Sequence, residues 1–593
     1  MQIRKNYQII ISSLLIFVSL FVFENSIAQS KKHPSDYFRP PLDTPLYLSG
    51  TFGELRTNHF HSGIDIKTGG AEGKNIYAIA DGYVSRIKIS TGGYGKALYI
   101  THPNGYVSVY GHLQKYNKQI QEFVTSYQYK KESFTVEIFP EKDRLIVNKG
   151  DVIAISGNTG SSAGPHLHFE IREEATQYPI NPLLFKSIKI KDYYRPKILE
   201  VALYPVDENA TINGKNDTVF YTVAGWGDEY YLRDKPEITV SGRISFGIRT
   251  YDLMNDIPNK NGVYTIEMLL DTTQIFGLKM DEFSFSTTRY INSLIDFAYY
   301  KKIKRRVVRT EIDTNNRLNT YQNVVSNGIV SFDDSLNHIV KYVISDLYEN
   351  TAQLQFEIKS VISDSVPKKS AGKEQKGVYF DFRKQHEVAN GNIALSFPTN
   401  AFYKSFYFEF MVDSSGGDSC PSGRRVSPVY KVHNKFTPVQ KAFSIKIKPD
   451  HISEGLKDKM YIAFTNGNDN GNDSYISSKW QEGYLTTKSR ILGDYFIKID
   501  SVAPVIVPVN IGKGKDISGQ NTIKLKIKDG ETGISYYRAT LNDQWILMEY
   551  DAKKRLLTYQ YDHRLQTGEN NFKLVIKDML GNVSEYKVKL IYQ

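Results

Sequence analysis

The sequence predicts a mainly β protein made of several consecutive domains. Its 593 residues are too many for one hydrophobic core, since domains hold roughly 100 to 200 residues. Tyrosine and phenylalanine are abundant, with 42 and 31 copies, and aromatic residues favour strands over helices. Alternating segments separated by Asp81-Gly82 and Asn104-Gly105 are typical of antiparallel hairpins. The clearest predicted hairpin joins Ala97–His102 to Tyr106–Leu113.

The first 28 residues have the pattern of an export signal. Arg4 and Lys5 precede a 15-residue apolar stretch from Ile9 to Phe23, and the small residues of Ser26-Ile27-Ala28 follow it. That stretch is shorter than the roughly 20 residues that span a bilayer. We therefore expect a cleaved signal peptide at 1–28 and an exported protein that is periplasmic, cell-envelope-associated or secreted. A retained membrane anchor is the alternative interpretation.

The charge and cysteine content narrow the possible partners. Loss of Arg4, Lys5 and Glu24 with the signal peptide lowers the net charge from +11 to +10, and a basic exported protein is attracted to anionic cell-envelope surfaces. Nucleic acid is not an expected partner, because the protein leaves the cytoplasm and carries no nucleic-acid motif. Cys420 is the only cysteine, which excludes an intramolecular disulfide and a thiolate-rich zinc site. Oligomeric state is not predicted.

Histidines are concentrated near the N-terminal end of the expected mature chain. Six of the 12 histidines lie between residues 59 and 168, where even scattering would place about two. They are His59, His61, His102, His112, His166 and His168. This excess indicates a site, and the spacing within each segment indicates its chemistry.

Three predicted strands present these histidines on a polar side, since alternate residues of a strand share a side. In 60–66, His61 and Asp65 lie about 13 Å apart if fully extended, and Gly63 between them permits a bend that closes the distance. The opposite, core side of that segment holds Phe60, Ile64 and Ile66. In 164–172, the core side is Leu167, Phe169 and Ile171, and the polar side is His166, His168, Glu170 and Arg172. In 106–113, the core side is Val107, Val109 and Leu113, and the polar side is Tyr106, Ser108, Tyr110 and His112.

These residue types fit a catalytic zinc ion. Such an ion takes three nitrogen or oxygen ligands and keeps one position open for water. His61, Asp65 and His168 supply two imidazoles and one carboxylate. His112 and His166 remain for proton transfer and transition-state stabilisation, and the sequence does not decide which of them is the general base.

Five motifs, in order, resemble the lysostaphin/LytM family of zinc endopeptidases, which are peptidoglycan hydrolases. They are His61-Ser62-Gly63-Ile64-Asp65, Tyr110-Gly111-His112-Leu113, Lys149-Gly150-Asp151, Gly157-Asn158-Thr159-Gly160 and Gly164-Pro165-His166-Leu167-His168-Phe169. The resemblance covers residues 48–185. It implies one zinc ion on His61, Asp65 and His168, a catalytic pair of His112 and His166, and an antiparallel β-sheet whose groove holds a peptide.

The expected organisation places several β-rich domains after the peptidase domain. We expect a tether at 29–45, a LytM-type zinc peptidase domain at 46–190, a β-rich domain at 191–364, a linker at 365–377, a second β-rich domain at 378–500 and an immunoglobulin-like β-sandwich at 501–593. A helix is predicted over Tyr290–Arg306. Residues 114–145 are longer than the family pattern requires and predict an inserted loop near the groove.

The resulting hypothesis is an exported zinc metalloendopeptidase that hydrolyses peptide cross-links of bacterial peptidoglycan. Glycan cleavage normally needs two carboxylates, whereas the predicted site has one, Asp65, which is committed to zinc. Two alternatives stay open: a non-enzymatic wall-binding or regulatory protein that uses the peptidase fold, and a secreted peptidase for non-wall peptides. The sequence does not indicate which cross-link bond is cut.

Overall fold

A computed structural model describes residues 33–34, 36–362, 376–414, 424–450, 454–465 and 473–593. The predicted signal peptide, most of the predicted linker at 365–377 and Cys420 lie outside these ranges. The protein is mainly β, as predicted, with successive sheets along the chain. In the part described, no helix combines the length and apolar character needed to cross a membrane.

The N-terminal unit is built on one large antiparallel sheet with the order β1-β4-β13-β8-β7-β6-β10. The predicted hairpin forms its β7 and β8. In chain order, β1 to β14 are Leu48–Gly50, Leu55–Arg56, His59–Phe60, Ile64–Lys67, Asn75–Tyr77, Gly82–Ile89, Lys96–Thr101, Tyr106–Gly111, Lys115–Tyr116, Val136–Ile138, Ile146–Val147, Val152–Ile155, His166–Glu173 and Pro179–Ile180.

One side of this sheet packs on the main core of the unit. Leu167 and Phe169 of β13 lie in that core, as predicted. On β8 the two sides are the reverse of the prediction, because Tyr110 is in the main core while Val109 packs in a small cluster on the other side. Register explains the reversal: Phe169 pairs with Tyr110, and Glu170 pairs with Val109. Apolar side chains on both sides of β8 concealed this from sequence alternation.

Phe60 belongs to a different core from Ile64 and Ile66. The latter two pack in the N-terminal core, whereas Phe60 packs in the core of the next unit, with its ring centroid 5.5 Å from that of Phe283. β3 ends at Phe60 and β4 begins at Ile64, so alternation is interrupted between them. The prediction of one common side for the three residues is therefore wrong.

The segment predicted as a tether is packed where the structure describes it. Phe38 and Leu42 are buried in the N-terminal core, and the Phe38 ring lies 5.3 Å from that of Phe185. Arg39 lies over the Tyr77 ring at 4.1 Å. Residues 36–45 are therefore an integral part of the N-terminal unit, because their apolar side chains fill its core.

The stretch at 114–145 contains a helix rather than the predicted inserted loop. Helix α1, Lys118–Lys131, begins after Asn117, whose side chain accepts a hydrogen bond from the Ile120 amide, and it buries Val124. Its exposed side meets the C-terminal unit, where the Tyr129 hydroxyl donates to Asp562 at 2.5 Å. This helix is a docking element between two units of the chain.

The second unit is a connected sheet of 13 strands with a large core. The predicted helix at Tyr290–Arg306 forms two pieces, α2 (Ile291–Leu294) and α3 (Phe297–Ile303), because Asp296 caps α3 through the Tyr299 amide. Short 3₁₀ helices are Pro182–Leu184, Thr288–Tyr290, Ser326–Gly328 and Glu454–Lys459. Strands β15 to β27 are Lys197–Pro205, Thr211–Ile212, Val219–Trp226, Glu229–Leu232, Thr239–Met254, Ile257–Asn261, Thr265–Leu270, Thr273–Lys279, Val308–Arg309, Tyr321–Gln322, Ile329–Phe332, Asn337–Ser345 and Thr351–Ser360.

The third unit has five- and six-stranded sheets around its own core. Strands β28 to β40 are Val378–Phe380, His386–Asn390, Ile393–Phe397, Phe406–Phe408, Phe410–Asp413, Arg424–Arg425, Val429–Val432, Phe443–Ile447, Met460–Thr465, Ser474–Ile476, Lys479–Gln481, Tyr484–Ser489 and Gly493–Ile499.

The last unit has two sheets, β41-β43-β47-β46 and β42-β49-β48-β44-β45, which share one core. Its immunoglobulin-like character stays a prediction, which this two-sheet arrangement suits. Strands β41 to β49 are Val505–Pro508, Lys515–Asp516, Thr522–Lys528, Ile534–Leu541, Gln544–Trp545, Met548–Asp551, Leu556–Gln560, Gly568–Asp578 and Val583–Tyr592.

Candidate active site

Side-chain atoms of His61, Asp65 and His168 meet at one point beside the central sheet. Asp65 Oδ1 lies 3.1 Å from His61 Nε2 and 2.9 Å from His168 Nδ1, and these two nitrogens are 3.1 Å apart. All three residues are buried, with exposed fractions of 2%, 6% and 3%. The structure thus brings together the three residues predicted as metal ligands.

Strand pairing and one bend produce this convergence. β4 and β13 are antiparallel neighbours in which Asp65 lies opposite His168. His61 comes from the bend between β3 and β4, where Gly63 lies so close to β13 that a Cβ atom would be 2.2 Å from the Phe169 carbonyl oxygen. Only glycine fits this approach, and the bend brings His61 to Asp65.

The far ring nitrogens of both histidines contact acceptors, which sets their tautomers. His61 Nδ1 lies 2.7 Å from the Thr51 carbonyl oxygen, and His168 Nε2 lies 2.7 Å from Glu170 Oε1. A carbonyl oxygen and a carboxylate only accept hydrogen bonds, so each of these nitrogens carries the proton. The other two nitrogens then direct lone pairs toward Asp65 Oδ1.

Such a donor set fits a zinc ion. Two imidazole lone pairs and a carboxylate oxygen repel one another unless a proton or a cation lies between them. Their separations of 2.9 to 3.1 Å are close to the roughly 3.3 Å between ligands of a tetrahedral ion bound at about 2.0 Å. Both histidines also have the outer hydrogen bonds that metal-bound imidazoles almost always make.

Asp65 is oriented by an arginine on its other oxygen. Arg56 Nη2 lies 2.5 Å from Asp65 Oδ2 and 3.2 Å from Glu54 Oε2. A Cβ atom at Gly50 would lie 2.7 Å from Arg56 Nη2 and 2.9 Å from Asp65 Oδ2, so a larger residue there would push against this pair. Because Arg56 holds Oδ2 of Asp65, the other oxygen, Oδ1, faces the two histidines.

The predicted catalytic pair lies beside the three predicted ligands. The ring centroids of His112 and His166 are 4.7 Å apart, and His166 Nε2 lies 3.5 Å from Asp65 Oδ1. Each Nδ1 contacts a carbonyl oxygen, that of Thr159 at 2.9 Å for His112 and that of Gly164 at 2.8 Å for His166. Both Nε2 atoms therefore carry lone pairs that can accept a proton.

His112 reaches the site through a left-handed residue rather than by strand alternation. β8 ends at Gly111, and His112 itself has φ 61°. Its amide donates to the Tyr94 carbonyl at 2.8 Å, while its ring is held by Thr159. His112 therefore lies at the site as predicted, but it is placed there by its left-handed backbone and not by strand alternation.

Burial and neighbouring groups shift the pKa values at the site. Burial lowers the pKa of His112 to about 3, with His168 and His166 adding to the shift. Burial acts to raise the pKa of Asp65, but the neighbouring imidazoles of His61, His166 and His168 hold it well below its usual range. At neutral pH His112 is thus an uncharged imidazole, and Asp65 carries the charge that a cation needs.

The His168 imidazole lies between two carboxylates. Burial acts to lower its pKa, but hydrogen bonds with Asp65 and Glu170 outweigh burial and raise it to about 9. The raised pKa belongs to a proton held between His168 and Asp65. A cation bound between these two side chains would take the place of that proton, so metal binding releases it.

Glu170 is an important residue to which the sequence analysis assigned no function. It is fully buried and contacts His168, the Ser62 hydroxyl at 2.6 Å and Arg172 Nε at 2.6 Å. The Tyr94 hydroxyl also donates to it, and the Tyr94 ring stacks on His168 with centroids 4.8 Å apart. The available signal was its position, two residues after His168 on the same predicted polar side.

The two remaining histidines of the segment are separate from this site. His59 is exposed and contacts the Thr57 carbonyl oxygen. His102 is buried between the Asp81 carbonyl oxygen and the Ser108 hydroxyl. Neither was given a function from the sequence, and neither contacts His61, Asp65 or His168.

The C-terminal unit contacts the loop that precedes His166. Lys553 Nζ donates to the carbonyl oxygens of Asn158 and Ser162, the latter at 2.9 Å. The Ser162 hydroxyl lies 3.2 Å from His166 Nδ1. The last unit of the chain therefore supports one rim of the candidate active site.

A buried His-Asp-His cluster with two adjacent histidines suits a metal-dependent peptidase. The family comparison agrees: residues 59–129 and 135–182 match peptidase family M23, and residues 377–500 match the Zu5-like domain. The chain therefore contains an M23 domain, as the lysostaphin/LytM resemblance predicted.

Several known proteins are similar to this domain. An uncharacterized metalloprotease of Haemophilus influenzae is 33% identical over 156 residues, which are 25% of this chain and 27% of that protein. A DD-carboxypeptidase/endopeptidase Mpg of Neisseria meningitidis is 33% identical over 129 residues, or 22% and 23% of the two chains. The catalytic domain of lysostaphin from Staphylococcus simulans is 24% identical over 22% of this chain and 86% of that chain, with a TM-score of 0.17. The chain thus spans about a quarter of the length of the curated relatives it matches.

Proposed function

We propose that this protein is an exported zinc metalloendopeptidase that hydrolyses peptide cross-links of bacterial peptidoglycan. The observation that carries the proposal is the convergence of two imidazole lone pairs and one carboxylate oxygen, each fixed by an outer hydrogen bond. His61, Asp65 and His168 would hold the metal. When bound, zinc supplies Lewis-acid activation of a water molecule and of the scissile carbonyl group.

His112 and His166 supply the proton transfers of the reaction. Their Nδ1–H groups are held by backbone carbonyls, so each Nε2 is available to take a proton from the attacking water or to give one to the leaving amine. The ring that does not take the proton can stabilise the oxyanion. Because both rings are fixed before substrate binds, little reorganisation is needed during the reaction.

The carboxylates of the site favour peptide cleavage over glycan cleavage. Glycosidases normally place two carboxyl groups around the scissile bond. Here Asp65 faces the two ligand histidines, and Glu170 is fully buried and paired with Arg172. Neither is available to a sugar, whereas imidazoles suit protonation of a leaving amine.

An open rim of small residues suits cross-links with small side chains. A Cβ atom added at Gly93 or Gly164 would meet nothing within 4 Å, which leaves room for a close backbone approach. Cross-links built of alanine, glycine or a diamino acid match this description. The endopeptidase name of the Neisseria relative supports the same substrate class, and the mature charge of +10 favours an anionic wall.

Product analysis of purified peptidoglycan tests the bond that is cut. We expect new free amines with unchanged reducing ends, loss of products after chelation and recovery on addition of zinc. New reducing ends without new amines would show a glycan hydrolase. If the zinc-loaded protein gives no products, the result would favour a non-enzymatic wall-binding or regulatory protein. Cleavage of non-wall peptides alone would favour a secreted peptidase for such peptides.

Variants separate ligands from proton-transfer groups. His61→Ala and His168→Ala are expected to lose both zinc and activity, since three ligands are the minimum for a catalytic site. His112→Ala and His166→Ala are expected to keep zinc and lose about 100-fold or more in kcat. His59→Ala, next to the site but exposed, is the matched control. Full zinc occupancy in His168→Ala, or near-native turnover in His112→Ala, would contradict these roles.

A further inference from the structure

A second group of acidic side chains lies at the junction between the N-terminal and second units. Asp192, Asp252 and Asp346 have carboxylate oxygens within 4.8 Å of one another, and their exposed fractions are 5%, 2% and 5%. They line a cavity of about 20 Å³ together with Thr51 and Phe52 of the N-terminal unit. That volume is enough for one water molecule or one ion.

The fold brings these aspartates together from three separate positions. Asp192 lies in the segment between the two units, Asp252 lies near the end of β19, and Asp346 follows β26 directly. Two amides, those of Tyr348 and Asn350, donate to Asp346 Oδ1 and hold that carboxylate in place. The Tyr194 amide does the same for Asp192 Oδ1 at 3.1 Å.

Two of these carboxylates have a buried oxygen atom without a hydrogen-bond donor. Within the described residues, Asp192 Oδ2 and Asp252 Oδ1 have no partner, and neither does Oδ1 of Asn261, the cross-strand neighbour of Asp252. None of the three aspartates forms an ion pair with a described lysine, arginine or histidine. A buried carboxylate without compensation costs several kcal/mol or takes up a proton, as a rough guide.

The pKa values are consistent with a missing positive charge. Burial raises the pKa of Asp252 to about 9, and the charges of Asp192 and Asp346 add to the shift. Burial likewise raises the pKa of Asp192 to about 7. Three carboxyl groups placed together in this way are costly unless a cation neutralises them.

A second acidic cluster in the described part of the chain has hydrogen-bond donors for its buried oxygens. Asp500, Asp529 and Asp578 also come within 4.8 Å of one another. There, however, Asp529 Oδ2 accepts from three backbone amides, and Asp578 accepts from the amide and side chain of Asn582. No buried oxygen of that cluster lacks a partner among the described residues. Proximity of acids alone therefore does not distinguish the two clusters, but their unpartnered oxygens do.

We propose that Asp192, Asp252 and Asp346 bind one calcium ion at the junction of the N-terminal and second units. The ligand atoms are oxygens only, which selects a hard cation. Carboxylates drawn from three separate segments suit calcium, whose coordination geometry is flexible, better than magnesium, which demands near-ideal octahedral geometry and keeps several waters. The inference does not depend on the proposed peptidase activity.

Calcium titration of the zinc-loaded full chain tests this site. Isothermal titration in calcium-depleted buffer is expected to show one calcium ion per chain with at least a 10-fold preference over magnesium. Saturating calcium is expected to raise the midpoint of thermal unfolding by roughly 5 °C. Zinc content, measured in the same samples, must stay constant. No calcium heat and no thermal shift in the wild-type protein would overturn the proposal.

A variant of the site is expected to be more stable than the wild type without calcium and to lose the stabilisation by calcium, and a merely structural role cannot produce both effects. Asp252→Asn keeps the side-chain shape and removes one charge, so it is expected to raise the unfolding midpoint in calcium-free buffer. The same variant is expected to bind calcium at least 10-fold more weakly and to lose the calcium-induced shift. Asp578→Asn, in the fully partnered cluster, is the control and should retain wild-type calcium binding. Wild-type calcium affinity in both Asp252→Asn and Asp192→Asn would contradict the assignment.

Discussion

Replacing Glu170 with glutamine is expected to weaken zinc binding and to destabilise the N-terminal unit through two separate effects. Glu170 is fully buried, accepts the Nε2–H of His168 at 2.7 Å and pairs with Arg172 Nη2 at 2.6 Å. Glutamine has nearly the same shape but is neutral, and its amide nitrogen must face one of these donors. The change therefore tests the charge of Glu170 rather than its volume.

Each effect has an expected size. Loss of an outer hydrogen bond to a metal-bound histidine typically costs about 10- to 100-fold in metal affinity. Leaving a buried arginine without its partner typically costs about 3 to 5 kcal/mol, and the Arg172 side chain is 8% exposed. Burial acts to raise the pKa of Glu170, but Arg172 and His168 lower it strongly, so an ionised carboxylate is what the variant removes.

A double variant separates the two effects. Glu170→Gln with Arg172→Met removes the unpaired cation and is expected to recover most of the stability, but not the zinc affinity, since His168 still lacks a carboxylate. Zinc affinity is measured by competition with a chelator, and stability by the free energy of unfolding in denaturant. Zinc affinity within 3-fold of the wild type in the single variant would refute the positioning role of Glu170. Full recovery of zinc affinity in the double variant would refute it as well.

Three further predictions concern the units around the site. Lys553→Ala, which frees the Ser162 loop, is expected to lower kcat roughly 10-fold at constant zinc content; a loss equal to that of the exposed neighbour variant Lys554→Ala would contradict the contact. Burial lowers the pKa of His102 below 6.5, so the stability from its neutral ring is complete above pH 6.5 and is lost as the pH falls. Between about pH 7 and pH 5, the thermal unfolding midpoint of His102→Asn should therefore fall less than that of the wild type. An equal fall in the two proteins would count against a stabilising neutral His102. A fragment of residues 36–190 is expected to show less amide protection in hydrogen exchange than residues 36–362, because Phe60 loses its core; equal protection would exclude that dependence.

Sequence patterns predicted which three side chains meet at the candidate site, because the evidence for them is local. In β13, Leu167 and Phe169 alternate strictly with His166 and His168, so one short segment defines both its core side and its polar side. The same holds for the pairing of a histidine with Asp65 across a glycine. Such patterns depend on strand geometry alone.

Other features depend on contacts that are distant in sequence. β8 has apolar residues on both sides, and only its register with β13 shows that Tyr110 reaches the main core. Phe60 continues an apparent alternation, yet its partner Phe283 belongs to another unit. Helix α1 mixes charged and aromatic residues because one side faces its own core and Tyr129 faces Asp562 of the last unit. No local pattern contains this information.

Thr51 gives the junction between the first two units a chemical consequence. Its carbonyl oxygen holds the Nδ1 proton of His61, and its hydroxyl group exchanges hydrogen bonds with the backbone of Gly262 in the second unit, at 2.9 and 3.2 Å. The tautomer of His61, a predicted ligand, is thus fixed by a residue that a neighbouring unit holds in place. An engineer who grafts this peptidase domain onto a new carrier would need to transfer Gly262 and the β19–β20 hairpin that precedes it, because without them no described residue holds the Thr51 hydroxyl group in place.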